Sequence, residues 1–126
     1  MIVLDSSVVL AAAFNDPGAP GLADLLLQGS AISTVNLCEV VTKLQERGFE
    51  PEGMAFVTLQ LRDVCHPLTI SQAIRAGQWR KDTRHLGLSL GDRCCLALGL
   101  ELGAEVYTAE RRWAALDLGV KVRVIR

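Results

Sequence analysis

Short apolar segments alternate with longer helical patterns along almost the whole of this 126-residue chain. Residues 2–4 (IVL) and 31–35 (AISTV) are typical of buried strands, and a stretch with helical spacing of its apolar residues follows each of them. Strands that are separated by helices pair in parallel through right-handed crossovers. The alternation therefore predicts an α/β fold, a three-layer α/β/α sandwich with a mostly parallel sheet of about five strands.

Turn residues and apolar spacing set the bounds of the predicted elements. Strands are predicted at 2–4, 31–35, 64–68, 104–107 and 120–125. Helices are predicted at 7–14, 20–28, 37–47, 52–63, 70–81, 90–102 and 110–116. The length and the absence of an internal repeat predict one domain that spans residues 1–126.

Composition excludes several functional classes. Half of the residues are hydrophobic, so the chain can bury a core and is not intrinsically disordered. The 13 Lys and Arg residues are balanced by 14 Asp and Glu residues, which excludes a protein that coats nucleic acid by charge alone. Any bound RNA must then be held by a local basic patch or by metal ions. An aromatic content of 5% also argues against a surface that stacks on bases.

The sequence carries no sign of a targeting or membrane-spanning segment. We therefore expect a cytoplasmic protein with no membrane association. The four cysteines have no metal-binding spacing, and we expect them to be buried, reduced thiols. They are Cys38, Cys65, Cys94 and Cys95.

Four carboxylates come at or shortly after the ends of predicted strands or at the start of the apolar helix 90–102. They are Asp5, Glu39, Asp92 and Glu110. In parallel sheets ligands bind beyond the carboxyl ends of the strands, so these acids are expected to converge there. Four converging acids repel one another unless a cation lies between them, and oxygen ligands of this kind suit Mg²⁺ or Mn²⁺. The pattern favours a divalent-metal site that could activate water at a phosphate.

The same acids have a simpler interpretation as helix caps. Asn36 with Glu39, and Ser89 with Asp92, have the spacing of a capping box, and Asp5 could cap the first helix. Taken one at a time, capping is the more common role. Taken together, four acids at one edge of a sheet favour the cation site.

Four ordered segments give the chain a resemblance to a known family. They are IVLDSS at 2–7, STVNLCEVVTKL at 33–44, GLSLGDRCCLALG at 87–99 and YTAERRW at 107–113. In this order and spacing, the chain resembles a PIN domain of the VapC-type ribonuclease toxins of bacterial toxin–antitoxin pairs. The resemblance covers essentially the whole chain, and the segment at 87–99 is the most specific.

The resemblance implies roles for individual residues. Asp5, Glu39 and Asp92 match the three core metal-binding acids of the family, which makes them catalytic. Glu110 matches a fourth acid that is usually Asp, so it carries one extra methylene. The polar residues expected to support the pocket by hydrogen bonding, each also an ordinary helix cap, are Ser7, Asn36 and Thr108.

The resemblance also implies an activity and partners. It implies a Mg²⁺-dependent endoribonuclease, with Mn²⁺ as a substitute ion, that hydrolyses RNA phosphodiester bonds through metal-activated water. It implies a VapB-type antitoxin that covers the acidic pocket, and a homodimer. Basic residues near the acidic motifs could contact RNA phosphates or could form a solvated surface, and both interpretations stay open. They are Arg80, Lys81, Arg84, Arg93, Arg111 and Arg112.

Three other functions share features with this sequence. A catalytically inactive PIN domain that serves as a scaffold is motivated only by Glu110 in place of Asp, and a PIN nuclease of RNA processing would carry the same site as a toxin. A phospho-receiver domain has a similar length and layered fold, but it needs an acceptor Asp after the third strand, where this chain has HPLT at 66–69.

Overall fold

The computed structural model describes residues 1–125, in which five strands and seven α-helices alternate. The strands are β1 Ile2–Leu4, β2 Ser30–Ser33, β3 Cys65–His66, β4 Glu105–Thr108 and β5 Val122–Val124. The helices are α1 Ser6–Ala13, α2 Leu22–Leu27, α3 Thr34–Glu46, α4 Pro51–Arg62, α5 Ile70–Gln78, α6 Arg80–Thr83 and α7 Leu90–Leu102. Short 3-10 helices lie at Arg84–Leu86 and Arg111–Ala115. Within the described residues, no helix has the length and apolar character needed to cross a membrane.

The strands form one parallel sheet in the order β3-β2-β1-β4-β5. Val3 of β1 lies opposite Ala31 of β2 on one side and Val106 of β4 on the other, so β1 is the central strand. Helices cover both faces of the sheet, and the predicted α/β/α sandwich is confirmed.

Successive residues of β1 face the two helical layers alternately, as the pleat of a strand requires. Ile2 and Leu4 pack with buried residues of α1, α3 and α4. Val3 packs on the opposite face, with Leu96 and other buried residues of α7. Because β1 is buried on both faces, its short run is wholly apolar. The residue that follows it, Asp5, is thereby brought into the interior at the carboxyl end of the sheet.

Helix α7 has the bounds that the sequence predicts. Ser89 begins it as an N-cap in a capping box with Asp92, and Gly103 ends it with a left-handed φ of 60°. The helix is buried along most of its length and packs against β1, β2 and β4. It approaches the sheet so closely that a Cβ on Gly99 would lie 2.3 Å from a methyl carbon of Val106.

Three predicted elements differ from the structure in type or by more than two residues at one end. Helix α3 begins at Thr34 instead of residue 37, because Ser33 already ends β2 and caps the helix by accepting a hydrogen bond from the Val35 N–H. The single helix predicted at 70–81 is two helices, α5 and α6, that meet at Trp79. The helix predicted at 110–116 is the shorter 3-10 helix at Arg111–Ala115.

The cysteines match the expectation only in part. All four are free, and Cys94 and Cys95 are buried in α7. Cys65 is half-buried in β3, while Cys38 is exposed on α3. The expectation of a buried thiol was wrong for Cys38 because the buried face of α3 is formed by Asn36, Val40 and Leu44, and Cys38 lies on the opposite face of the helix.

Candidate metal centre

Three of the predicted acids lie together at the carboxyl end of the sheet. Asp5 follows β1, Glu39 comes from α3 and Asp92 from the first turn of α7. The negative charges of Asp92 and Glu39 both lie close enough to Asp5 to help raise its pKa. The structure therefore brings these three side chains, supplied by three different elements, into one electrostatic environment.

Asp5 is almost completely buried, with 1% of its surface exposed. Its Oδ2 accepts hydrogen bonds from the Ser7 hydroxyl and, at 3.0 Å, from the Thr108 hydroxyl. Its Oδ1 is buried and has no hydrogen-bond partner. Burial raises the pKa of Asp5 to about 6; the Ser7 and Thr108 hydroxyls work in the opposite direction.

Glu39 is half-buried, and one of its oxygens is held from two helices. Its Oε1 accepts a hydrogen bond of 2.8 Å from the Asn36 amide and one of 3.1 Å from the Ser6 hydroxyl of α1. The Asn36 amide also donates to the carbonyl of Gly91, at 3.0 Å, which links α3 to the first turn of α7.

The sequence-based interpretation of Asn36 as a helix cap was wrong. Ser33 is the N-cap of α3, so Asn36 lies inside the helix and Glu39 lies in its second turn instead of its first. Asn36 is fully buried and serves the Glu39 carboxylate with its side chain. Its supporting role is thus a side-chain contact and not a capping box.

Asp92 combines a cap with a place at the site. Its Oδ2 accepts a hydrogen bond of 2.8 Å from the Ser89 N–H, and its own N–H donates to the Ser89 hydroxyl at 3.2 Å. The capping interpretation is therefore correct for Asp92. It does not exclude a ligand role, because a carboxylate has a second oxygen.

The three acids share one arrangement. In each carboxylate the hydrogen bonds from described residues go to a single oxygen, Oδ2 of Asp5, Oε1 of Glu39 and Oδ2 of Asp92. The second oxygen of each has no such donor, and that of Asp5 is buried as well. The buried, unpartnered oxygen of Asp5 is costly unless a cation binds it, and carboxylate oxygens are the ligands that suit Mg²⁺ or Mn²⁺. Within residues 1–125, no three acidic, His or Cys side chains form a ready-made metal cage, so this fit concerns individual oxygens.

Cys95 of α7 is fully buried and lies close enough to the three acids for their charges to act on it. Burial raises the pKa of its thiol well above the usual value, and the charges of Asp5, Asp92 and Glu39 raise it further. The thiol therefore stays protonated.

Glu110 stands apart from the other three acids. Its carboxylate pairs with Arg112 at 3.8 Å, and its side chain is 45% exposed. Its backbone N–H donates to the Thr108 hydroxyl, at 3.0 Å, so the main chain borders the site although the carboxylate points elsewhere. Thr108 itself lies in β4 and holds Asp5; it does not cap a helix.

The basic residues fall into two groups. Arg93 is buried, and its guanidinium donates to the carbonyls of Ala76 and Ser89, so it fastens α7 to α5 and cannot serve as an exposed phosphate contact. The others are exposed and lie in and around α6 and the two 3-10 helices. They are Arg80, Lys81, Arg84, Arg111 and Arg112.

Sequence reasoning missed Ser6. Ser6 and Glu39 are 33 residues apart, and no local spacing rule connects them. The one available signal is the pair of adjacent hydroxyls in DSS at 5–7, directly after a strand, where two neighbouring side chains must point in different directions.

A family model described as PIN domain matches residues 2–118. Among solved structures, VapBC2 from Rickettsia felis bound to a promoter DNA fragment aligns with a TM-score of 0.76 and 14% identity, over 98% of each chain. DNA-bound VapBC from Salmonella typhimurium aligns with a TM-score of 0.76 and 20% identity, over 97% of this chain and 96% of that one. VapC20 of Mycobacterium tuberculosis, a toxin that cleaves the sarcin–ricin loop, aligns with a TM-score of 0.73 and 21% identity, over 96% of this chain and 99% of that one. No curated protein sequence matches the chain. At these identities the structural likeness shows a shared fold.

Proposed function

This chain belongs to the PIN-domain family, and from that membership we propose that it is a Mg²⁺-dependent endoribonuclease, the toxin of a VapBC-type toxin–antitoxin pair. The observation that carries the proposal is the shared arrangement of Asp5, Glu39 and Asp92. Each holds one carboxylate oxygen with the chain's own donors and leaves the other without one. In Asp5 that second oxygen is buried, and a purely structural acid has no need of an unpartnered oxygen in the interior.

The proposed ligands of the ion are Asp5, Glu39 and Asp92. A bound Mg²⁺ would supply an activated water and neutralise charge at a scissile phosphate, with Mn²⁺ as a substitute. Ser7 and Thr108 keep the Asp5 carboxylate oriented. Because Asp5 is buried, its electrostatic interaction with a bound ion is stronger than it would be in water.

Glu110 is proposed as a fourth acid of the site. Its ion pair with Arg112 is half exposed and therefore weak, so the carboxylate can exchange Arg112 for a cation at little cost. The extra methylene of Glu relative to Asp gives it the reach for that exchange.

The proposed substrate is single-stranded or looped RNA. The net charge of −1 gives the chain no general attraction for nucleic acid, so phosphate contacts must come from a local group of cations. The exposed residues around α6 and the 3-10 helices supply such a group, and Arg93, which is buried, is not part of it. VapC20, with the same fold, cleaves the sarcin–ricin loop, and unstacked loops are the readable part of a structured RNA.

The proposed partners are a VapB-type antitoxin and a second copy of this chain, in the cytoplasm. Support comes from the solved structures of the same fold, several of which are complexes described as VapBC. An antitoxin that covers the acidic pocket would keep the nuclease inactive until it is removed.

The proposal is tested by replacing Asp5, because its side chain makes no cap hydrogen bond to α1 and its replacement by Asn should leave the fold intact. Asp5→Asn should lower Mg²⁺-dependent cleavage of a mixture of ribosomal RNA and tRNA by about a hundredfold or more. Asp63→Asn, at an exposed acid after α4, is the matched control and should cleave at the wild-type rate. Wild-type cleavage by Asp5→Asn, or cleavage that persists in excess EDTA, would contradict the proposal.

A further inference from the structure

Ser6 and Ser7 are neighbours at the start of α1, yet their hydroxyls serve different carboxylates. Ser7 donates to Oδ2 of Asp5, two residues away. Ser6 donates to Oε1 of Glu39, on another helix. Successive side chains on a helix point about 100° apart, so one turn of α1 can reach two acids. Ser6 is thus placed between α1 and α3 at the site.

The Glu39 carboxylate is confined from three directions. Ser6 and the Asn36 amide both bind Oε1, from α1 and α3 respectively. On the third side lies Gly91 of α7, where a Cβ would come within 2.3 Å of Oε2. Asn36 is itself tied to the Gly91 carbonyl, so the donor cannot turn away without breaking a buried hydrogen bond.

This confinement matters because Glu has more rotatable bonds than Asp. A half-buried Glu side chain that binds an ion must give up rotamer freedom, and donors that fix it beforehand reduce the loss on binding. Oε1 is occupied by the two donors, and Oε2 remains as the oxygen without one.

We propose that Ser6 is a positioning residue for the metal centre, whose hydroxyl holds Oε1 of Glu39 so that Oε2 is the oxygen available to the ion. This inference rests on the proposed function, since it needs an ion at the acids. Ser6 is not among the acids or the supporting residues that the sequence predicts. It acts through Glu39 and does not contact substrate.

The test measures Mn²⁺ binding to the full chain by isothermal titration calorimetry. Ser6→Ala should weaken Mn²⁺ binding about tenfold, the usual effect of removing a group that orients a metal ligand. Ser6→Thr, which keeps the hydroxyl, should bind within about twofold of wild type. Ser71→Ala removes an exposed serine that also faces a carboxylate, Glu101 of α7, and should leave binding unchanged.

Thermal unfolding in EDTA separates this role from a purely structural one. If Ser6 only stabilises the start of α1, Ser6→Ala lowers the melting temperature and leaves the Mn²⁺ affinity at the wild-type value, and that result overturns the inference. Should Ser6→Ala fail to fold, Ser6→Cys keeps the shape with a much weaker donor and is expected to show the same weakened binding.

Asp5→Asn distinguishes the inference from the proposed function. If wild type binds Mn²⁺ and Asp5→Asn does not, while Ser6→Ala binds like wild type, Ser6 has no positioning role and the metal centre stands. If Asp5→Asn binds Mn²⁺ as tightly as wild type, the metal centre itself is contradicted, and the inference falls with it.

Discussion

Asp5 holds the N-cap position of α1 with the extended backbone typical of a cap, but its side chain makes no cap hydrogen bond. Its carboxylate is instead buried between Ser7 and Thr108, with one oxygen unpartnered. Burial destabilises the charged form of this carboxylate, and the pKa of Asp5 is therefore raised to about 6. The chain thus has at position 5 a side chain that lowers the stability of the folded protein, as is common at functional sites.

The raised pKa of Asp5 predicts how stability depends on pH in the metal-free protein. The folded state binds the Asp5 proton up to about pH 6, whereas the unfolded chain releases it near the ordinary pKa of 3.8 for an Asp side chain. The stabilisation from protonation is complete below the lower value and is lost as the pH rises through the higher one. Between pH 5 and pH 7, wild type should lose about 1 kcal/mol of unfolding free energy from this group alone.

Urea unfolding in EDTA at both pH values measures the effect, with Asp5→Asn as the reference. The variant should lack this part of the pH dependence and should be the more stable protein at pH 7. The same pH dependence in both proteins would mean that the pKa of Asp5 is not raised in the folded state.

Some residues of the site could be predicted from the sequence and others could not. Asp5 directly follows a strand, and Asp92 lies at the start of an apolar helix. Topology alone therefore places both at the carboxyl edge of the sheet. The Ser6–Glu39 contact and the pairing of Glu110 with Arg112 depend on side-chain directions in the folded state. Local spacing rules contain no information about such directions.

At the scale of elements, prediction succeeded where the end signals were unambiguous. Helix α7 has a Ser cap at its start and a Gly in the left-handed region at its end, and both bounds were correct. The start of α3 was misplaced because Ser33 and Asn36 are both residue types that cap helices, and Thr34 and Val35 also favour a strand. Only packing against the rest of the fold decides between them.

The close contact between α7 and β4 gives a stability prediction. In an open helix, Gly to Ala is stabilising by up to about 1 kcal/mol. At Gly99 the new Cβ would lie 2.3 Å from Val106 of β4 and 3.3 Å from Val120, which precedes β5. Overpacking of this kind costs about 1–3 kcal/mol, so Gly99→Ala should be destabilising overall.

Gly77→Ala is the matched control for this prediction. Gly77 lies in α5, with no atom within 4 Å of the Cβ position, so the variant should be as stable as wild type or more stable. Denaturant unfolding of both variants gives the comparison. A Gly99→Ala protein that gains stability like Gly77→Ala would show that α7 can move away from β4 at no cost.

For the molecule as a whole, the order of the strands explains how the site is assembled. The three central strands are neighbours, with β1 between β2 and β4. Asp5 follows β1, α3 with Glu39 follows β2, and Thr108 ends β4, so residues far apart in the chain meet at one edge. The sequence predicts a parallel sheet and its functional edge. It does not predict which strands are adjacent, because that order is set by the packing of helices on both faces.

This assembly couples metal binding to the stability of the entire fold. In the metal-free protein, three carboxylates from three elements repel one another, and an ion that binds the folded state alone stabilises it by mass action. Millimolar Mg²⁺ or Mn²⁺ should therefore raise the melting temperature by a few degrees at pH 7.5. In the Asp5→Asn, Asp92→Asn double variant this shift should disappear, whether or not the metal-free variant melts below metal-free wild type. An equal shift in the double variant would place the ion elsewhere.

Protons compete with the ion for Asp5, whose pKa is about 6, so the metal-induced shift of wild type should also shrink between pH 7.5 and pH 5.5.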